Sequence, residues 1–360
     1  MTLGRCVVVV PPEGGSYAFD GDRYRGIADS ILAPHVEVHH VGWAVGSSER
    51  EPWEAILKGA DAVVVAPWLP LIDPPSFEDF NVDEADLKVI AGTFDFRLGW
   101  IDLADAIRRS IVVVDTSRAM TPTVAEFGVA ITLALLRDIP TSIDVVRGGG
   151  WVTAPIEGGR HVFRDLGDCR VGLAGYGSIN RHYRRFVRPF GCEVAIYDPF
   201  VSDDLAEADE VVRASSLREL ARTSDILVVA IPPTPTTLGV VDAAAIDALV
   251  PGSLFVLLSR MAVVDQDALW RRLRAGELWA ALDVFDPEPP PPDAWFRRAP
   301  NVLPTPHIAG NAAYAHERCF REACADALRV LRGEAPHHPA TPRDRDLYEG
   351  RIVPPAIRDP

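Results

Sequence analysis

Short apolar runs alternate with amphipathic stretches along most of the chain. Within residues 1–115, Cys6–Val10, Val36–Val41, Ala62–Ala66, Lys88–Ala91 and Ile111–Val114 read as strands. Asp22–Leu32, Glu49–Leu57 and Ile101–Arg108 read as helices. Strands alternating with helices imply a parallel, doubly wound sheet. Thr121–Pro140 reads as one long helix, capped by Thr121 with Pro122 in its first position. Its centre is apolar nearly all round, so burial is expected. The glycine-bearing run 148–166 lacks periodicity and reads as an extended connection.

The pattern is most informative at Val171–Asp198, VGLAGYGSINRHYRRFVRPFGCEVAIYD: strand, glycine turn, amphipathic helix, and a strand stopped by an acid. Beyond it, Asp203–Glu219 reads as helical and Ile226–Ile231 as a strand ended by Pro232 and Pro233. Helices are expected at Ala243–Leu249, Asp267–Arg274 and Asn311–Leu331, and strands at Leu254–Leu258 and Trp279–Val284. The prolines of 287–292 exclude a helix interior there. From Gly333 onward proline and charge dominate, which predicts a partly ordered or draped tail without chemistry.

The glycine turn is the first candidate for chemistry. Gly175 permits a tight exit from the strand. Gly177 lets a pyrophosphate approach the backbone where helix amides point outward. Asp198 stands where a dinucleotide fold places the acid that binds the ribose hydroxyls. Asn180 occupies the third glycine position of GxGxxG, so the helix is expected to sit slightly further from the strand.

Composition narrows the classes. A chain of 360 residues favours two domains, and 48% hydrophobic with 24% charged residues describes a globular protein. A net charge of −15 argues against nucleic acid or an anionic membrane as partner, so an anionic substrate needs a local cationic site. The five cysteines form no CxxC pair and are odd in number, which fits reduced thiols and a cytoplasmic protein. The apolar run Cys6–Val10 is too short for a signal peptide, and no stretch reaches about 18 uninterrupted apolar residues. No metal site is expected.

Further candidates follow strand-like runs. In the loop GTFDFRLGW, Phe94, Asp95, Phe96 and Arg97 are candidate substrate contacts. Its aromatics either line an apolar pocket or pack beneath the loop. Three aromatics around one cation lean towards a substrate side chain that is apolar and larger than that of pyruvate, whereas Arg97 suggests instead a second anion, such as a phosphate or distal carboxylate. Arg260 follows LFVLLS, Glu288 lies five residues beyond Asp283, and His307 sits in PTPHIAG. A guanidinium grips a carboxylate bidentately, and an imidazole beside a carboxylate exchanges a proton near neutral pH. Together they suit reversible reduction of a 2-keto acid.

At this point the chain resembles the D-isomer-specific 2-hydroxyacid dehydrogenases, the family of phosphoglycerate, glycerate, formate and phosphite dehydrogenases. The resemblance rests on TVAEFGVAITLALLRDI, the glycine-turn stretch, IPPTPTT, SRMAVVDQDAL, LDVFDPEP and PTPHIAG. It implies NAD as cofactor, with Arg260 on the substrate carboxylate, His307 as acid/base and Glu288 as its partner. It also implies Asp283 at the nicotinamide carboxamide, and Ser178, Ile179, Pro232 and Thr237 around the pyrophosphate and adenosine. Thr121 and Ser259 complete that cofactor-binding set. The implied architecture is α/β, two doubly wound parallel-sheet domains. A Rossmann domain, 120–309, is inserted in a flavodoxin-like substrate domain formed by 1–119 and 310–360, with hinge closure over a cleft. A homodimer through the long helix is also implied.

Three positions depart from the family pattern: Met261 for a glycine, Met120 for an asparagine or similar small polar residue, and a substrate loop one residue longer. An NAD(H)-sensing binding or regulatory protein on the same fold is the alternative reading.

Overall fold

A computed structural model describes residues 2–11, 20–42, 53–67, 87–94, 102–151 and 164–352. The chain divides into two compact domains, one formed by Met1–Met120 with Asn311–Arg351, the other by Thr121–Gly310.

The first domain holds a parallel sheet of β1 (Arg5–Val10), β2 (Glu37–Gly42), β3 (Ala62–Val65), β4 (Val89–Gly92) and β5 (Val112–Asp115), in the order β2-β1-β3-β4-β5. Strands β1, β3 and β4 are almost entirely buried, as parallel strands covered on both faces must be. The helix Ala313–Leu331 returns to this domain and packs on it through Phe320, Ala323, Cys324 and Ala327. The Phe320 ring meets Tyr24 edge-on with centroids 5.0 Å apart.

The segment after that helix is more ordered than composition predicts. Pro339 makes an antiparallel bridge to Val114, and His338 and Ala340 exchange backbone hydrogen bonds with Asp115 and Val113. Edge strand β5 is thereby covered. Asp326, fully buried, accepts the backbone N–H groups of His337 and His338, and Pro342–Tyr348 forms a helix opened by a capping box at Thr341. A buried acceptor organises this tail, a device that a composition-based reading does not register.

The second domain has seven parallel strands: β6 (Arg170–Ala174), β7 (Glu193–Tyr197), β8 (Val212–Arg213), β9 (Ile226–Val229), β10 (Leu254–Leu257), β11 (Trp279–Leu282) and β12 (Val302–Pro304). Their order is β12-β11-β10-β9-β6-β7-β8. Connections leave β6 in opposite directions, so the topological switch lies between β6 and β9.

Two expected elements divide. Asp203–Glu219 becomes the helices Asp203–Ala208 and Leu217–Thr223 with β8 between them, because each helix has its own serine cap, Ser202 and Ser216. The long helix ends at Leu136, and the chain turns through Asp138 at φ 47° into a second helix, Ile139–Arg147, that takes Pro140 into its first turn. Proline is tolerated there and not in a helix interior.

Burial of the long helix is also one-sided. Ala125, Ile131, Leu135 and Leu136 join the core, while Val124, Phe127, Val129 and Leu133 are only partly covered. A helix laid against one side of a sheet buries a stripe, not its circumference. Among the described residues, one helical run, Thr116–Leu136, is long and apolar enough to cross a membrane by length and composition.

Asp225, just before β9, ties the entry to the second sheet. Its carboxylate accepts from the Arg170 backbone N–H (2.9 Å) and guanidinium (3.1 Å) and from Arg164 (3.0 Å). Burial works against its charge, but these donors outweigh burial and hold its pKa down at about 2, against 3.8 unperturbed. The lowered value means that its stabilisation is complete above pH 3.8 and is lost as pH falls through about 2. Asp225→Asn is therefore expected to cost about 2 kcal/mol at neutral pH and to flatten the acid limb of the stability profile. Urea unfolding across pH checks this; an unchanged acid limb would contradict it.

Candidate functional site

In a parallel sheet every strand-to-helix turn emerges on one edge, and the candidate residues of the second domain lie there. Gly175–Ile179 follow β6, Asp198 follows β7, Pro232 and Thr237 follow β9, Ser259 and Arg260 follow β10, Asp283 and Glu288 follow β11, and His307 follows β12. Asp198 and Arg260 are three strand positions apart, roughly 14 Å at the usual strand spacing.

The glycine turn is tightly specified. Gly175 has φ 78°, and a Cβ there would lie 3.0 Å from Ile231 and 3.1 Å from the Ala230 carbonyl. At Gly177 a Cβ would meet no protein atom within 4 Å, so that face of the turn is open. The helix Ser178–Val187 begins there without a side-chain cap. Asp198 accepts the backbone N–H groups of Tyr176 (2.7 Å) and Phe200 (2.8 Å). A carboxylate offers about four acceptor positions, so two remain for other donors.

Asn180, expected to act as a spacer, is fully buried and reaches back instead. Its Nδ2 donates to the carbonyls of Ala174 (3.1 Å) and Gly175 (2.6 Å). Tyr176, the residue between the glycines, turns inward and its hydroxyl donates to Asp209 (2.8 Å). Arg184 donates to the Asp209 carbonyl and pairs with Glu210 at 3.6 Å.

Thr237 closes the turn after β9, its hydroxyl donating to the Pro232 carbonyl (2.5 Å) and accepting the Thr234 N–H (2.7 Å). Ser259 Oγ is buried without a hydrogen-bond partner. Arg260 is half-buried and donates to the Ser259 carbonyl (2.8 Å). Met261, in the place of a family glycine, is buried among the core residues beside it. Thr121 opens its helix rather than preceding it, and is buried.

Glu288 and His307 meet at the far end of the sheet. Glu288 Oε1 accepts from His307 Nδ1 at 2.5 Å, and both side chains are about one-third exposed (33% and 31%). His307 has φ 53°, a left-handed conformation that a non-glycine residue adopts only when its surroundings impose it. Asp283 imposes it. This carboxylate, 1% exposed, accepts Thr305 Oγ1 (2.6 Å), the Ile308 N–H (2.9 Å) and the Ala309 N–H (2.8 Å). It grips the chain on both sides of His307, a part for which no local sequence signal exists.

Phe94, from the first domain, is the expected contact whose placement differs. Its ring is 1% exposed within the core, above Gly92, and its backbone N–H donates to Asp115 (2.9 Å). The ring belongs to the core and does not line a pocket, because burying an aromatic surface outweighs leaving it in water. Asp95, Phe96 and Arg97 lie outside the described residues. The five cysteines are free, and burial pushes the Cys6 and Cys319 thiols up to about 12, which removes them from nucleophilic chemistry. Among the described residues no cluster of His, Cys, Asp or Glu has the makings of a metal site.

The open face at Gly177, the uncapped helix end, the spare acceptor positions of Asp198 and the orphaned Ser259 hydroxyl together fit a dinucleotide.

Comparison with known proteins agrees. Residues 129–309 match the family model described as D-isomer specific 2-hydroxyacid dehydrogenase, NAD binding domain. A D-3-phosphoglycerate dehydrogenase of Methanocaldococcus jannaschii is 29% identical over 83% of this chain and 55% of its own. The chain thus spans about half the length of that relative. A glyoxylate reductase of Thermofilum pendens is 30% identical over 70% of this chain and 74% of its own. Among solved structures, a D-isomer specific 2-hydroxyacid dehydrogenase from Xanthobacter autotrophicus Py2, in complex with NADPH and MES, is 25% identical, with a TM-score of 0.70. That alignment covers 94% of this chain and 98% of the other.

Asp283→Asn replaces an acceptor-only group with one that must turn an N–H toward a backbone N–H. It is expected to lower stability by roughly 2–3 kcal/mol, whereas Thr305→Val, which removes one donor, costs only about 1 kcal/mol. Urea unfolding of the two variants tests the ranking; equal losses would show that Asp283 is not the hub.

Proposed function

The chain belongs to the D-isomer specific 2-hydroxyacid dehydrogenase family, and from that premise we propose that it is an NAD-dependent 2-hydroxyacid dehydrogenase working mainly as a 2-keto acid reductase. The observation that carries this is the Glu288–His307 pair, on the same sheet edge as Arg260 and the glycine turn.

Bound NADH supplies the hydride that the carbonyl carbon accepts. The protein's part is to hold the acid and manage charge. Arg260 binds the carboxylate as a fork and steadies the charge that grows on the carbonyl oxygen. Glu288 holds Nδ1 of His307, which fixes the ring and leaves Nε2 to deliver the proton to that oxygen. Asp283 keeps the histidine in its left-handed turn and would meet the carboxamide of a bound nicotinamide. The amides of Gly177, Ser178 and Ile179 receive the pyrophosphate, Asp198 the ribose hydroxyls, and Pro232, Thr237, Thr121 and Ser259 flank the cofactor. Asp198 repels a 2′-phosphate; of the two arginines that could offset this, Arg184 is engaged by Asp209 and Glu210 and Arg185 lies over the Phe186 ring. NAD(H) is accordingly the preferred cofactor. The loop at Asp95, Phe96 and Arg97 selects the acid. Phe94, in the core, is not among the residues proposed to meet the substrate.

The protein is proposed to form a homodimer through the face that follows the long helix. Ile139, Ile143 and Val146 recur at helical spacing and are 45%, 42% and 55% exposed, and Trp151 is 78% exposed. Sedimentation equilibrium is expected to return twice the chain mass; a monomer at micromolar concentration would rule this out. The free thiols and net charge of −15 support a cytoplasmic protein with a small-molecule substrate and no nucleic-acid or membrane partner.

The activity test is oxidation of NADH against a panel of 2-keto acids, with NADPH in parallel. Turnover with at least one acid, faster with NADH, is expected. NADH binding without turnover of any acid would favour the sensing protein instead. On the best substrate, His307→Gln should lower kcat by about 10²–10⁴-fold with NADH affinity unchanged. Arg260→Lys keeps the charge but loses the fork, and should still lower kcat/KM strongly.

A further inference from the structure

A single peptide unit in the glycine turn is held at both ends. The carbonyl of Gly175 accepts from Asn180 Nδ2 (2.6 Å), and the N–H of the same peptide, on Tyr176, donates to Asp198 (2.7 Å). The next carbonyl, that of Tyr176, accepts from Arg181 Nε (3.1 Å), and Gly175 N–H donates to the Tyr197 carbonyl (2.9 Å). The backbone ahead of Gly177 therefore has little freedom to rotate, and the amides that follow it are aimed without a ligand's help.

Asn180 is the element of this arrangement that departs from the glycine pattern. A spacer needs no amide: any small side chain fills volume. Asn180 donates to two carbonyls while its Oδ1 stays buried without a partner, a cost that a glycine would not carry. We propose that Asn180 is a positioning residue for the cofactor, a clamp that replaces the third glycine by fixing the Gly175–Tyr176 peptide and with it the pyrophosphate-binding amides of Gly177–Ile179. This rests on the dinucleotide reading of the site. It has a consequence opposite to that of a spacer: restoring the family's glycine weakens cofactor binding, because the turn loses preorganisation.

The test is equilibrium binding to the purified full chain, read by NADH fluorescence, with ADP-ribose and adenosine as competitors. Asn180→Gly and Asn180→Ala are expected to weaken NADH and ADP-ribose about tenfold together, while adenosine, which carries no phosphate, keeps its affinity. Thr132→Val is the stability control. It breaks the buried hydroxyl contact (2.9 Å) between Thr132 on the long helix and Tyr183 on the helix that carries Asn180, and should lower Tm without changing the NADH Kd. Hydrogen exchange of the unaltered protein gives a reading independent of variants: the Tyr176 amide should be as protected without NADH as with it. Asn180→Gly binding NADH within twofold of wild type, or Thr132→Val weakening it equally, overturns the clamp, as does Tyr176 protection that develops only with NADH. Wild-type protein that binds neither NADH nor ADP-ribose overturns the dinucleotide reading itself, and the clamp with it.

Discussion

The seven strands of the second sheet run in one direction, and most of the proposed chemistry depends on that constraint. Parallel strands deliver their carboxyl ends, and the turns that follow, to one edge. Residues separated by more than a hundred positions, from Gly175 to His307, thereby come to lie along a single line. The order along the line is set by the crossover pattern: the proposed ribose acid at β7, the glycine turn at β6, the arginine proposed to bind carboxylate at β10, and the proposed acid/base pair at β11 and β12. The core that supports it is simple, since β9, β10 and β11 are wholly buried. Hydrophobic burial fixes the strands, and the strands fix the turns.

A second theme is the use of carboxylates as backbone acceptors. Asp198, Asp283, Asp115 and Asp326 each accept at least two main-chain N–H groups, at least one of them from another segment of the chain. Charge-assisted bonds of this kind are shorter and stronger than neutral ones, and they satisfy amides that a turn leaves unpaired. Part of the acidic excess of the chain is thus internal scaffolding. The two aspartates of the proposed site do this at its two ends, so the same atoms proposed to bind or orient also hold their own loops in shape.

Two departures from the family pattern, Met261 and Asn180, fall on packing and positioning. Met261 is absorbed by the core. Asn180 is absorbed by hydrogen bonding to the strand end that a glycine would have approached directly. Neither interrupts the arrangement of Arg260, Glu288 and His307. These two departures leave the core of the proposed reaction intact.

The sequence by itself determined the alternation of strand and helix, the glycine turn with its terminal acid, and the order of arginine, glutamate and histidine. These are local signals: apolar period, backbone freedom at glycine, residue type after a strand. Where the deciding partner was distant, the sequence was silent. Nothing near Asp283 announces that it clamps the chain around His307, and nothing near Asn180 distinguishes a spacer from a donor. Phe94 reads equally as pocket or core until Gly92 and Asp115 are seen around it. The division of 203–219 and the ordered tail followed from caps and from one buried acceptor, Asp326. Hydrophobic pattern encodes which side chains leave water. It does not encode which donor meets which acceptor, because that pairing exists only once the chain has closed on itself.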